Sequence, residues 1–294
     1  MSPLRLWFVA ARPRTLPAAV APVLVGTALA AGQEDVFRPL RFACALIGSV
    51  FIQIGTNLAN DYSDARRGAD TEDRLGPVRV TAGGLLPPRR VLIGTYVAFG
   101  IAVAAGSYLI AVAGWQLLLV GAASIAAGVL YTGGPKPYGY EGLGEVFVFL
   151  FFGVVAVVGS YFVQTEKLSW EAFALSVPVG LLAAAILVVN NVRDVDTDRR
   201  AGKRTLAVKL GRPGARKLYL ALVAISFVVP IVVWAAGGLS AWILLALAAA
   251  PLATPLIRTV NSRTDGASLN AALAGTGQLL AAYSLLLALG ALLS

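Results

Sequence analysis

Two short runs of amide and carboxylate side chains could bind a cation together with a phosphorylated ligand. The members are Asn57, Asn60, Asp61 and Asp64 in the first run, and Asn190, Asn191, Asp194 and Asp198 in the second. These groups offer hard oxygen atoms, and Mg²⁺ is typically bound by one or two carboxylates plus phosphate oxygens. The four aspartates are therefore candidate metal ligands and catalytic residues, and the four asparagines are candidate ligand-binding residues.

The spacing within each run places its polar side chains on one face of a helix. Asn57, Asp61 and Asp64 follow the i, i+4, i+7 pattern, and the second run begins in the same way with Asn190 and Asp194. A shift of 133 residues overlays the first asparagine and aspartate of the two runs. The pattern predicts an internal repeat whose acidic faces converge. For any single residue the alternative is a charge at a helix end, paired with a nearby arginine.

Basic residues near both runs could hold the anionic part of the ligand. They are Arg66, Arg79, Lys136, Lys203 and Arg204. Arg79 lies in the Gly/Pro-rich segment 76–88, and Lys136 and Tyr138 lie in the similar segment 131–145. Irregular backbone at a membrane surface is tolerated where it covers a polar cavity. Acids for a metal and bases for anionic oxygens indicate a diphosphate site, although such bases also set membrane topology or contact anionic lipids.

The elements that position these residues must be membrane-spanning helices. Of the 294 residues, 58% are hydrophobic and only 13% are charged. The stretches without charge are 15–33, 42–60, 91–135, 146–165, 172–192, 218–257 and 266–294. A span needs about 20 apolar residues, so two of these stretches can each hold two spans, and the total is about nine. The sequence predicts an all-α polytopic membrane protein, a single domain over residues 1–294, and excludes a soluble enzyme or a disordered chain.

The distribution of charge predicts the orientation. All but Arg38, Arg41 and Lys167 of the 24 basic residues fall on one side of the nine-span arrangement, together with 11 of the 15 acidic residues. Because basic loops stay in the cytoplasm, we expect the N-terminus and a central cavity to face the cytoplasmic side of the plasma membrane. Arg12 and Arg14 ahead of an apolar run also resemble a cleaved signal peptide, but its removal would spoil this agreement.

The residues that the chain lacks exclude several chemistries. It has no histidine, and its one cysteine, Cys44, lies in an apolar run. Imidazole-based catalysis, an internal disulfide and cysteine-rich metal sites are therefore excluded. The isoelectric point near 10 is explained by the basic membrane loops, so no nucleic-acid partner is expected.

Two motifs carry a resemblance to a known family. Asn60-Asp61-x2-Asp64 and Asp194-x3-Asp198-x3-Gly202 resemble the aspartate-rich motifs of the UbiA superfamily of intramembrane prenyltransferases, and the likeness covers essentially the whole chain. Segments 11–17, 134–145 and 202–208 are most similar to its 1,4-dihydroxy-2-naphthoate polyprenyltransferase (MenA) branch. The first motif usually has a further aspartate where this chain has Gly68, and the nearest acid is Asp70.

The resemblance implies a specific reaction. A polyprenyl group would pass from polyprenyl diphosphate to 1,4-dihydroxy-2-naphthoate with loss of carbon dioxide, which gives demethylmenaquinone in menaquinone biosynthesis. It implies two Mg²⁺ ions on Asp61, Asp64, Asp194 and Asp198, with Asp70 as a further candidate. The basic residues would hold the diphosphate, and we expect Arg12 or Arg14 to steer the carboxylate of the aromatic acid.

Three alternatives remain open at the level of sequence. Another aromatic acceptor, such as 4-hydroxybenzoate, is separated only by the branch-like segments. A membrane transporter also combines repeats with intramembrane acids, but carriers usually place them near the bilayer midplane. A CDP-alcohol phosphotransferase would need an Asp-Gly-x2-Ala-Arg pattern, which the run Asp64-Ala-Arg66-Arg67-Gly68 does not provide.

Overall fold

A computed structural model describes residues 2–69 and 75–294. All regular elements in these two ranges are helical, which confirms the predicted all-α class. Asp70, a predicted metal ligand, lies outside the described residues. The helices are α1 (Pro3–Ala11), α2 (Pro17–Glu34), α3 (Pro39–Arg66), α4 (Pro88–Ala113), α5 (Gln116–Leu130), α6 (Gly144–Val148), α7 (Ala156–Thr165), α8 (Trp170–Arg200), α9 (Leu206–Ala235), α10 (Ala250–Ser262) and α11 (Gly266–Leu292).

Irregular helical segments join several of these elements. A π-helix, Phe149–Val155, connects α6 to α7, so that Gly144–Thr165 forms one continuous span. A 3₁₀-helix, Ala241–Ala249, leads directly into α10. Proline occupies the first turn of α1, α2, α3 and α4, where its missing N–H group costs no hydrogen bond.

Every charge-free stretch of the sequence contains a helix, but the helices differ in length. Within the described ranges, seven helical segments are long and apolar enough to span a membrane. An eighth results if Pro3–Thr15 and Pro17–Glu34, which meet at a bend of 55°, form one span. The remaining stretch corresponds to α5, which has only 15 residues. The structure therefore supports seven or eight spans on this criterion, against the nine predicted.

Helix α8 lies at the centre of the bundle. In its most apolar stretch 72% of the residues are buried, compared with 28% for α3. Small residues allow neighbouring helices to approach closely, as is common in membranes. A Cβ atom at Gly153 would lie 2.7 Å from Gly180 Cα on α8, and one at Gly26 on α2 would lie 2.2 Å from the Val157 carbonyl oxygen. These contacts fix α2, α7 and α8 around one wall of a cavity.

Candidate active site

One cavity of about 1010 Å³ runs into the bundle between α2, α3, α4, α5, α7, α8 and α11. The predicted site residues that line it are Asn57, Asn60, Asp61, Asp64, Arg79, Tyr138, Asn190, Asn191, Asp194, Asp198 and Lys203. Away from this acidic end, its wall is mostly apolar and includes Ile52, Val103, Leu118 and Phe151. The cavity thus joins a polar mouth to a hydrophobic interior.

Three predicted ligand-binding residues are not part of this wall. Arg66, Lys136 and Arg204 are exposed. Arg66 is the last residue of α3 and contacts the Tyr62 hydroxyl one turn earlier, at 3.1 Å. Lys136 stands between two prolines at the surface of its loop. Spacing in the sequence identified the correct loops but not the direction of these long side chains.

Asp64 at the end of α3 is buried and contacts two loops. Its carboxylate lies 3.3 Å from Arg79 Nη2, and it accepts a hydrogen bond from the Tyr140 hydroxyl. Arg79 belongs to the loop that follows α3, and Tyr140 to the loop between α5 and α6. The predicted partnership of this acid with a base from a Gly/Pro-rich loop is therefore present in the structure.

Asp61 departs from the prediction that it faces a metal. Its two carboxylate oxygens accept hydrogen bonds from the backbone N–H groups of Val80, at 3.1 Å, and Thr81, at 2.9 Å. Asp61 and both of these residues are buried. The side chain is therefore directed to the loop after α3 rather than toward the aspartates of α8.

Asp194 on α8 is paired with its own neighbour, Arg193, which is only 1% exposed. Arg193 Nε and Nη2 donate to the two carboxylate oxygens of Asp194 at 2.8 and 2.5 Å. The same guanidinium donates to the side-chain oxygens of Asn190, at 2.8 Å, and Asn270, at 2.6 Å. This buried network was not expected from the sequence.

Asp198 lies one turn beyond Asp194 and also lines the cavity. Lys203 Nζ is 3.9 Å from its carboxylate and 4.8 Å from the centre of the Tyr140 ring. Tyr140 therefore contacts both helix ends, Asp64 through its hydroxyl and Lys203 through its ring. The backbone N–H of Arg204 donates to the Tyr140 carbonyl at 2.8 Å, which holds the two loops together.

The ends of α3 and α8 match with an offset of 134 residues, one more than the 133 predicted. Each helix is followed after two residues by a glycine in the left-handed region, Gly68 (φ 63°) and Gly202 (φ 73°). This register places Asp64 opposite Asp198, and Asn60 opposite Asp194. Asp61 then corresponds to Val195, so it has no acidic counterpart on α8.

The asparagines mainly connect α3 and α8 to their neighbours. The Asn57 amide donates to the Ala11 carbonyl at 3.0 Å, which fixes the turn after α1. The Asn60 side-chain oxygen accepts from the Thr132 hydroxyl at 3.0 Å. The Asn191 amide donates to buried Glu145 at 2.8 Å. Asn60 keeps its other groups toward the cavity and is the best placed of these three to contact a ligand.

Aromatic side chains form the wall next to the acids. The Tyr138 ring stacks on Phe147 with 4.0 Å between centroids, and its hydroxyl donates to the Ala127 carbonyl. Tyr131 meets Tyr138 edge-on at 5.5 Å. Burial, and then the nearby carboxylates of Glu145, Asp64 and Asp198, raise the pKa of Tyr131 well above 10.0, so this phenol stays neutral. A neutral aromatic wall beside acids suits a ligand that is apolar on one side and charged on the other.

No three acidic, histidine or cysteine side chains in residues 2–69 and 75–294 lie close enough to hold a metal by themselves. The convergence of four aspartates on one point is therefore not present. Carboxylates that bind a metal with few protein ligands do so where substrate oxygens complete the shell.

Sequence reasoning missed three residues of this site: Tyr140, Arg193 and Asn270. Tyr140 lies within a segment that the composition marked, and Arg193 is adjacent to Asp194, so both were within reach of a closer reading. Asn270 near the start of α11 gave no local signal, because its contact with Arg193 joins residues that are 77 positions apart.

The family model for UbiA prenyltransferases matches residues 19–285. The chain belongs to the UbiA prenyltransferase family. This confirms the resemblance that the two aspartate motifs indicated, and it accounts for a helical bundle with an acid-lined cavity.

Several curated members of the UbiA family are similar over nearly their whole length. A 1,4-dihydroxy-2-naphthoate octaprenyltransferase from Mycobacterium tuberculosis is 42% identical over 98% of this chain and 97% of its own. The protein of the same name from Escherichia coli is 38% identical over 100% of this chain and 97% of its own.

Solved UbiA structures share the fold. A UbiA homologue from Archaeoglobus fulgidus bound to DMAPP and Mg²⁺ covers 96% of this chain and 98% of its own, with a TM-score of 0.66 at 14% identity. The apo structure of a homologue from Aeropyrum pernix also has a TM-score of 0.66, at 18% identity over 94% of this chain and 96% of its own. At this distance the likeness concerns the fold alone.

Proposed function

We propose that this protein transfers a polyprenyl group from polyprenyl diphosphate to 1,4-dihydroxy-2-naphthoate, with loss of carbon dioxide, to give demethylmenaquinone. The observation that carries the proposal is the cavity, whose mouth holds Asp64, Asp194 and Asp198 and whose interior is apolar. A prenyl diphosphate has the same division, because its chain dissolves in lipid and its head is an anion. The named activity of the 38–42% identical relatives supports the choice of acceptor.

The residues at the mouth fit Mg²⁺. Asp64 and Asp198 offer carboxylates and Asn60 offers an amide oxygen, which are hard ligands, and the chain has no histidine and no thiol among them. We assign one ion to each helix end, so two in all, with Asp194 assisting on α8. When bound, Mg²⁺ would neutralise the charge that develops on the departing diphosphate. Asp61 is not assigned to the metal, because both of its oxygens accept backbone hydrogen bonds.

The bases of the cavity wall hold the diphosphate. Arg79 and Lys203 each lie beside one of the two matching aspartates, so an anion with metal on those aspartates would meet a cation from each loop. Charged groups fixed before the reaction stabilise developing negative charge without reorganisation. The apolar wall around Tyr138 and Phe147 excludes water, which protects a reactive allylic cation from hydrolysis.

The proposed reaction needs no separate base. The bond between the allylic carbon and the bridging oxygen breaks, and its electron pair leaves with the diphosphate. The ring carbon that bears the carboxylate forms the new carbon–carbon bond. The bond to the carboxylate then breaks, carbon dioxide leaves in place of a proton, and its electron pair restores the aromatic ring.

The turn after α1 is the proposed place of the aromatic acid. Arg12 and Arg14 both line the cavity, and Arg12 Nη2 lies 3.4 Å from the Asn57 carbonyl oxygen. A guanidinium at this position suits a carboxylate that must approach the acidic mouth from the side of α2.

We also propose the finer membrane arrangement. The protein would be a single domain with nine spans, the bent pair α1–α2 and the short helix α5 both included. At about 1.5 Å per residue α5 is about 22 Å long, so the bilayer would thin locally around it. The N-terminus and the acidic mouth would face the cytoplasm across the plasma membrane, which the excess of basic residues at that end supports.

The activity is tested with the purified protein in lipid nanodiscs, Mg²⁺ and labelled polyprenyl diphosphate. We expect a lipid-soluble product with 1,4-dihydroxy-2-naphthoate and release of labelled carbon dioxide from its carboxyl group. Product with 4-hydroxybenzoate but none with the naphthoate would overturn the acceptor. Absence of Mg²⁺-dependent diphosphate release with every acceptor would overturn the class of reaction.

The orientation is tested with a matched pair of exposed lysines at opposite ends of the bundle. Lys136→Cys and Lys167→Cys are made in a Cys44→Ser background and treated with a membrane-impermeant maleimide. We expect labelling at position 167 in intact cells, and at position 136 only after lysis. The reverse pattern would place the acidic mouth outside.

A further inference from the structure

We infer that Asp61 is a positioning residue that anchors the strap, residues 75–81, over the mouth of the cavity and thereby places Arg79 on Asp64. The inference rests on the proposed function, since it concerns the same diphosphate site. It assigns to Asp61 a role that is different from metal binding.

The anchor on α3 is a pair of hydrogen bonds from backbone to carboxylate. Val80 N–H and Thr81 N–H each donate to a different oxygen of Asp61. Val80 is fully buried and packs with Leu58 and Ala10. Hydrogen bonds to a charged acceptor contribute more than neutral ones, and their loss here would leave two buried donors without a partner.

A second anchor holds the other end of the strap at α11. The Asn270 amide donates to the Leu75 carbonyl at 3.0 Å, and a Cβ atom at Gly266 would lie 3.1 Å from the same carbonyl oxygen. Asn270 also accepts from Arg193, the partner of Asp194. The strap therefore runs from the α8–α11 side of the mouth to the end of α3.

Arg79 lies between these anchors, next to the amides that Asp61 holds. Its guanidinium reaches Asp64, and Pro77, Val78, Arg79 and Val80 all line the cavity. Residues that reach a site from a loop depend on whatever fixes that loop. Asp61 thus acts on the ligand through Arg79, which explains why it has no acidic counterpart on α8.

The anchor itself is tested by amide hydrogen exchange of the purified protein, without substrate. In Asp61→Asn we expect faster exchange at Val80 and Thr81, while the spans keep their protection. Asp196→Asn is the matched control, because Asp196 ends α8 as an exposed partner of Arg212. Unchanged exchange at Val80 and Thr81 in Asp61→Asn would overturn the inference. If Asp61→Asn does not fold, Asp61→Ser keeps one acceptor oxygen and is measured in the same way.

The positioning role is tested by kinetics. For Asp61→Asn we expect the KM for polyprenyl diphosphate to rise about ten- to a hundredfold, with the Mg²⁺ concentration for half-maximal rate unchanged at saturating diphosphate. Asp64→Asn should shift that Mg²⁺ concentration. In an Arg79→Ala background, Asp61→Asn should add little further effect, because both changes remove the same contact.

Each outcome separates this inference from the proposed function. A shift in Mg²⁺ requirement for Asp61→Asn as large as for Asp64→Asn, with additive effects in the Arg79→Ala background, would make Asp61 a metal ligand and overturn the inference. Absence of prenyl transfer in the unchanged protein would overturn the proposed function, whereas the exchange measurement would still decide whether Asp61 holds the strap.

Discussion

The two ends of the helical bundle use the same charged residue types in different ways. At the end opposite the cavity mouth, Glu166 lies 2.8 Å from both Arg38 and Arg41, and Glu34 lies 2.6 Å from Lys167. At the mouth, the matching pairs of Asp64 with Arg79 and Asp198 with Lys203 are longer, at 3.3 and 3.9 Å.

The difference concerns burial as well as distance. Glu166 and Lys167 are about half exposed or more, whereas Asp64 is 2% exposed. Close, exposed pairs connect helices and are satisfied by each other and by water. Buried acids with a base at longer range retain the capacity to bind a charged ligand. The comparison therefore teaches that the chain concentrates ligand-binding charge at one end and uses charge at the other end as closure.

The largest expected effect is loss of activity at the mouth. Asp64→Asn and Asp198→Asn should each lower kcat by on the order of a hundredfold or more, because each removes a charge that would bind the metal. The measurement is product formation at saturating substrates and Mg²⁺. Asp196→Asn, on the same turn of α8 but exposed, should leave kcat within about twofold. If Asp64 and Asp198 differ strongly, the matched roles of the two helix ends are wrong.

The second effect separates α8 from α3 within the mouth. Arg193→Leu should destabilise the protein by about 3–5 kcal/mol, since it leaves Asp194 as a buried, unpaired carboxylate. The shift of the unfolding midpoint in detergent is the measurement. Arg79→Leu should cost less, because Asp64 also has the Tyr140 hydroxyl.

The double variant Arg193→Leu/Asp194→Asn checks the physical reason. It should recover part of the lost stability, because the uncompensated charge is removed. No recovery would mean that Arg193 acts mainly through Asn190 and Asn270.

The third effect concerns the link between the helix ends. Tyr140→Phe removes one hydrogen bond to a charged acceptor and should lower kcat/KM by about tenfold. Tyr140→Leu should cost a further few-fold, since it also removes the ring beside Lys203. Tyr62→Phe is the control, because its hydroxyl contacts only the exposed Arg66 among the printed neighbours of that side chain. An equal loss in both phenylalanine variants would show that no special link exists.

The sequence allowed a good prediction of the bundle and a partial one of the mouth. Spans follow from runs of uncharged residues, so every helix was located, and the turns at Gly114 and at 237–238 were found. The partners of each acid could not be predicted in this way, because they come from distant segments. Asp61 and Asp64 are three residues apart, yet one is held by backbone amides and the other faces the cavity.

The register error has a similar cause. The shift of 133 residues rested on matching letters, whereas the structural repeat is fixed by where each helix stops. The glycines at 68 and 202 set those ends through their positive φ. They were visible in the sequence, and aligning on them would have paired Asp64 with Asp198 from the start.

The smallest expected effect lies at the closed end and depends on pH. The Arg41 and Arg38 guanidinium groups lower the pKa of Glu166 below its ordinary value of 4.5. Because folding lowers this pKa, the stabilisation is present above 4.5 and is lost as the pH falls through the lower, folded value. Glu166→Gln should therefore lower the unfolding midpoint slightly near pH 7, since solvent screens the pair, and not at all below the folded pKa. Prenyl transfer should be unaffected throughout. A clear loss of activity at pH 7 would mean that the closed end is coupled to the mouth, and the contrast between the two ends would fail.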